Sequence, residues 1–131
     1  MAPSEEADGG VYEWFQRGVH LLADGHPEAA VTVLERVLAA EPTSRSVCEA
    51  LGRAQYCAGR YQEAMESFHQ LITVHPTDDY AHFALGMAAS RAGLLQLAAE
   101  HLALAVAMRP EAQHYARALR GVRARRGAIA E

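Results

Sequence analysis

An all-helical fold is the expectation from this sequence, and three observations carry it. Alanine supplies 27 of the 131 residues, and it is the strongest intrinsic helix former. Isoleucine, which favours strands, occurs only as Ile72 and Ile129. Glycine and proline recur every 34 residues, as Pro42, Pro76 and Pro110, as Gly18, Gly52 and Gly86, and as Gly25, Gly59 and Gly93. A period of this length, kept without an insertion, marks stacked supersecondary units that cannot bury their apolar faces singly. The length fits one domain with one continuous core, which is expected to span residues 11–126.

Taken in chain order, residues 1–10 are acidic and small, and a flexible tail is expected there. A signal peptide would be basic and then apolar, and no apolar run approaches the roughly 18 residues of a membrane span. A cytoplasmic protein is therefore expected. Three units follow, at about 11–44, 45–78 and 79–112, each with a helix of about 13 residues, a glycine break, a second helix of about 14 and a proline-marked turn. Gly25, Gly59 and Gly93 suit a left-handed helix end, where a side chain would clash. Pro27 suits the first turn of a helix, because its missing N–H has no intrahelical partner there. Pro42-Thr-Ser and Pro76-Thr-Asp close one helix and offer a hydroxyl or carboxylate cap to the next.

The second helices carry the core stripes. Ala30, Val33 or Leu34, and Val37 or Leu38 recur at three-to-four spacing, as do Ala64, Phe68, Leu71 and Ile72, and then Ala98, Leu102, Ala105 and Val106. The glycines at 18, 52 and 86 and the alanines at 30, 64 and 98 keep small residues where two helices approach closely. Residues 111–126 place Tyr115, Ala118, Leu119 and Val122 on one face and Arg117, Arg120 and Arg123 on the other. That pattern predicts a capping helix, followed by a frayed tail over 127–131.

These columns resemble the tetratricopeptide repeat, most fully in the second unit through Leu51-Gly52, Tyr56, Gly59, Tyr61, Ala64, Phe68 and Pro76. The resemblance implies three antiparallel helix pairs wound into a short right-handed solenoid. It also implies a concave surface, lined by the first helix of each pair, that binds peptide segments. Two departures stand out. Arg17 occupies the column filled by Leu51 and Leu85, and the Trp14 column becomes Cys48 and then His82.

Helical spacing sets the face that such a surface would present. Tyr12, Phe15, Val19 and Leu22 share a sector of about 80° at ~100° per residue, apart from the Trp14, Gly18 and Leu21 stripe that meets the partner helix. The 34-residue step continues that sector through Ser46, Glu49, Arg53 and Tyr56, and then Tyr80, Phe83, Met87 and Ser90. The candidate groove is aromatic at both ends and charged in the middle. Contiguous apolar surface of this kind marks an interaction site, here for an apolar-anchored helix or extended peptide, with Arg53 or Glu49 selecting polarity. The protein is accordingly expected to be a non-catalytic adaptor. A second copy of the chain, forming an obligate homodimer, is the alternative occupant. Some tetratricopeptide domains hold chaperone C-termini in a clamp of Lys, Asn and Arg. The corresponding positions here are Phe15 and Val19, Ala50, and Tyr80 and Ala84, and the chain has no lysine or asparagine, a bias that fits a GC-rich bacterial genome.

The remaining chemistry is sparse. The formal net charge of −4 disfavours a nucleic-acid footprint over the whole surface. Residues 111–131, however, carry five Arg against two Glu. Arg117, Arg120, Arg123, Arg125 and Arg126 read as a solvated cap face, with attachment to nucleic acid or an acidic membrane as the alternative. No phosphate loop, dinucleotide fingerprint or His-Glu-x-x-His occurs, and the seven histidines are scattered, so neither catalysis, cofactor nor metal is expected. His82 and His101 read as structural. Cys48 and Cys57 lie about 13 Å apart along one helix at ~1.5 Å per residue and are expected to stay reduced.

Overall fold

The computed structural model describes residues 10–130. Among them are seven helices and no strand: α1 (Gly10–Ala23), α2 (Pro27–Ala40), α3 (Arg45–Cys57), α4 (Tyr61–Val74), α5 (Asp79–Arg91), α6 (Leu95–Met108) and α7 (Gln113–Ala130). Each helix packs chiefly on its sequence neighbours, and α1, α3, α5 and α7 also touch in succession. This is a helical solenoid of three pairs plus a terminal helix.

The punctuation works as the sequence implies. Gly25, Gly59 and Gly93 have φ of +86°, +81° and +84°. In each case the next residue closes the helix end, with His26 N–H donating to Leu21 O at 2.8 Å, Arg60 to Gln55 at 2.8 Å and Leu94 to Ala89 at 2.9 Å. Ser44 caps α3 by accepting from Val47 N–H, and Asp78 caps α5 by accepting from Ala81 N–H at 3.0 Å. Gly18, Gly52 and Gly86 are where helices meet, since a Cβ there would lie 2.7–2.8 Å from Leu34, Phe68 or Leu102.

The core falls into two clusters. Ala30, Val31 and Leu34 of α2 meet Ala50, Leu51 and Ala54 of α3. The larger cluster runs from Cys48 through Phe68, Leu85 and Leu102 to Leu119 and Val122. In both, the leucine column of the first helices faces the preceding pair. This explains Arg17. In α1 the columns that hold Val47, Ala50, Leu51 and Ala54 in α3 hold Glu13, Gln16, Arg17 and His20, and Glu13, Arg17 and His20 are exposed. Trp14 is likewise only half-buried, between the guanidinium groups of Arg17 at 4.8 Å and Arg36 at 4.7 Å.

The end of the chain differs from expectation. The last helix starts at Gln113 and continues through Ala130, so residues 127–130 are helical and not a frayed tail. Gly127 belongs by period to the column of Gly25, Gly59 and Gly93 but stays outside the left-handed region, and the surrounding alanines and arginines are strong helix formers. At the other end Gly10 already belongs to α1, and the rest of the expected tail, residues 1–9, lies outside the described residues.

Candidate functional site

The face shared by α3 and α5 holds the most developed site. Arg53, Tyr56 and Cys57 from the second half of α3 and Tyr80, Phe83, Ala84 and Met87 from α5 surround a cavity of about 190 Å³. The ring of Phe68, reaching across from α4, completes the lining. Arg53 is the one charged residue in that lining.

Aromatic contacts set the walls. Tyr80 meets Phe68 edge-on with ring centroids 6.3 Å apart and lies 6.2 Å from Phe83. Phe83 stacks on Tyr115 of α7 at 4.7 Å and meets His114 edge-on at 5.3 Å. Tyr56 pairs with Tyr61 at 5.4 Å, and the Arg91 guanidinium lies over both rings, at 5.8 and 5.1 Å. Burial pushes the Tyr80 phenol above its ordinary pKa, with Glu49 acting in the same direction and Arg53 against it. Burial also raises the Glu49 carboxyl, helped by the charge of Asp78 and opposed by Arg53 and Arg45.

Ionic and polar groups fix the helices behind these walls. Asp78, only 5% exposed, accepts from Arg45 Nε at 3.0 Å while capping α5. Its neighbour Asp79 accepts from Tyr115 Oη at 2.6 Å and from Arg109 Nε at 2.9 Å. Desolvation would raise the Asp79 carboxyl, but these hydrogen bonds and the Arg109 charge outweigh it and hold the group below the ordinary carboxylate range. Tyr115 is pushed upward by burial and by the same hydrogen bond. His82 is buried with Nε2 3.0 Å from Pro76 O and Nδ1 3.1 Å from His101 Nδ1. The carbonyl can only accept, so His82 carries its proton on Nε2 and takes a hydrogen bond from His101 Nδ1–H. Cys48 is buried, its thiol donating to Ser67 O at 3.1 Å, and Cys57 is exposed; both are free thiols.

The candidate residues therefore separate. Arg53, Tyr56, Tyr80, Phe83 and Met87 come together around one cavity. Phe15, Val19 and Leu22 instead pack half-buried on the α2–α3 cluster, because α3 lies against that side of α1. Tyr12 stands 71% exposed with its hydroxyl accepting from Gln16. Glu49 is half-buried outside the cavity lining, and Ser90 is buried, accepting from Arg125 at 2.7 Å. Arg117, Arg120 and Arg123 are exposed along α7. Cys57, Ala84 and Phe68 in the lining and Arg91 above Tyr56 were not among the candidates. Phe68 was visible in the sequence as a core residue, and what the spacing does not convey is how far its ring reaches between α3 and α5.

Elsewhere, a broad open cleft of about 740 Å³ lies between α4 and α6, over Leu85, with half-exposed Val74 and Leu94 on its walls. Among the described residues no group of three or more His, Cys, Asp or Glu can hold a metal ion, and no helix is long and apolar enough to cross a membrane.

Two family models, both described as tetratricopeptide repeat, match residues 21–66 and 49–113. Among curated proteins no relative matches. Among solved structures, MamA from Desulfovibrio magneticus RS-1 is 25% identical with a TM-score of 0.85, over 89% of this chain and 66% of that one, just under two thirds of its length. The Yersinia enterocolitica type III secretion chaperone SycD, in complex with a peptide of the translocator YopD, is 15% identical with a TM-score of 0.80, over 88% of this chain and 93% of that one. The first repeat domain of Spaghetti (RPAP3), bound to the HSP90 peptide SRMEEVD, is 14% identical with a TM-score of 0.82, over 92% and 94% of the two chains. Sequence models that run from residue 21 to residue 113, on a solenoid whose glycine columns sit at its helix contacts, establish that the chain belongs to the tetratricopeptide repeat family.

Proposed function

We propose that this chain is a non-catalytic protein-interaction adaptor that receives a peptide or helix on the face formed by α3 and α5. The observation that carries this reading is the cavity there, walled by aromatic side chains that no other part of the described chain covers. An apolar hollow on a soluble surface is a site for a partner's side chain. The peptide complexes of SycD and of the RPAP3 domain support the same use of the fold.

Phe83 is a poor position for testing this, because its ring is stacked on Tyr115 and a charge there would also disturb α7. Arg53 and Cys57 are exposed and line the cavity. The double variant Arg53→Glu, Cys57→Glu is expected to keep its helicity and melting temperature while losing proteins that immobilised wild type retains from native lysate. Equal retention by the two folded proteins would remove the reading. Light scattering on the free protein distinguishes the homodimer alternative, which predicts a dimer that persists on dilution.

A further inference from the structure

The cavity at the α3–α5 junction has a size and a charge that narrow its occupant. An apolar cavity of ~150 Å³ holds one benzene ring, and this one measures about 190 Å³. It therefore has room for one aromatic side chain and not for a bundle of them. Its walls are matched to a ring, since Tyr80, Phe68, Tyr56 and Phe83 offer edges and faces for aromatic packing.

The rim is cationic. Arg53 borders the cavity, and Arg91 lies over the Tyr56 ring that forms one wall. Of the acidic groups nearby, Asp78 is engaged by Arg45 and Asp79 by Arg109 and Tyr115. Glu49, one turn before Arg53 and half-buried, offsets part of the Arg53 charge, and Arg91 has no carboxylate partner among the described ion pairs. Exposed guanidinium groups are made for carboxylate, which they bind through paired N–H donors.

We propose that this cavity is the anchor pocket for a single aromatic ring of an acidic peptide segment, with Arg53 and Arg91 receiving carboxylates adjacent to the ring. The assignment rests on the adaptor reading and adds the chemistry of the partner to it.

Cys57 reports on the pocket directly. It is exposed and lines the cavity, whereas Cys48 is buried with its thiol bonded to Ser67 O, so iodoacetamide is expected to react selectively at Cys57. Three acetylated and amidated pentapeptides serve as probes at millimolar concentration with the full chain: Glu-Glu-Phe-Glu-Glu, Glu-Glu-Ala-Glu-Glu and Lys-Lys-Phe-Lys-Lys. The first is expected to slow alkylation of Cys57 severalfold, an effect reduced by salt, while the other two leave the rate unchanged. In Arg53→Glu the lysine peptide becomes the better protector.

Equal protection by the alanine peptide would show that no ring is anchored. Equal protection by the lysine peptide would show that acidity is not selected, and slowing that rises with protein concentration alone would assign the pocket to a second copy. Absence of protection by any peptide overturns the assignment. The adaptor reading survives that outcome if wild type still captures proteins that the Arg53→Glu, Cys57→Glu variant loses, and falls with it if capture is also equal.

Discussion

Gly52 and Gly121 both sit inside helices, and their surroundings set opposite expectations for the same substitution. A Cβ at Gly52 would lie 2.7–2.9 Å from the Phe68 ring, while one at Gly121 meets nothing within 4 Å. Gly52→Ala is therefore expected to cost about 1–3 kcal/mol through overpacking. Gly121→Ala is expected to gain about 0.5–1 kcal/mol by lowering the backbone entropy lost on folding. Urea midpoints for the two variants, measured beside wild type, should move in opposite directions. Asp78 offers a second contrast, because its carboxylate both caps α5 and meets Arg45. Asp78→Ala should cost about 1–2 kcal/mol, and Asp78→Asn, which keeps a capping oxygen, distinctly less. Gly52 and Asp78 were legible from the 34-residue columns, since a repeated small residue or cap has one local meaning wherever it recurs. Phe83 was legible only in part. Spacing assigns its side chain to the expected groove face, but the stacking partner Tyr115 comes from a helix outside the three repeats.

At the scale of elements, α5 and α6 are joined by a pair of imidazoles as well as by apolar packing. Burial, chiefly, and then the neighbouring His82 lower the pKa of His101, with His69 acting alongside and Glu100 opposing. The unfolded chain then binds more protons than the folded one below the ordinary histidine value of 6.5. Stability is complete above that pH and drains as pH falls toward the depressed folded value. His101→Gln should flatten the slope of stability below the ordinary histidine value of 6.5, read from denaturation midpoints at stepped pH. An unchanged slope would show that His101 does not couple folding to protonation. Helices α1 to α6 were legible because each has a start and a stop that recur. The far end of α7 was not, because its stop depends on whether Gly127 adopts a left-handed conformation, and composition alone does not fix that choice. The separation of Phe15, Val19 and Leu22 from the α3–α5 cavity was hidden for a related reason. A helical wheel gives a residue's direction, and the stacking of the next pair decides whether that direction ends in solvent.

For the molecule as a whole, α7 covers the open side of the third pair through Tyr115, Leu119 and Val122, which are buried, and presents its arginines outward. Reversing Arg117, Arg120 and Arg123 to Glu should leave the melting temperature within a few degrees, as surface changes do. Removing residues 113–131 should instead expose the apolar faces of α5 and α6 and give an aggregating, less helical product, measurable by light scattering and circular dichroism. The junctions inside the array are also alike: α3 seats on α2 as α5 seats on α4, and Arg45 and Asp78 sit at the two ends of one unit. A duplicate of residues 45–78 inserted after Asp78 should therefore fold as a fourth pair and raise the melting temperature, as added interfaces do in such arrays. A fall in melting temperature would show that the junctions are individually fitted. Glu13, Arg17 and His20 on α1 set the first unit apart from the later ones. With polar side chains in the columns that are apolar in α3 and α5, that face of α1 is chemically fitted to water, while the matching faces of α3 and α5 are fitted to a neighbouring helix.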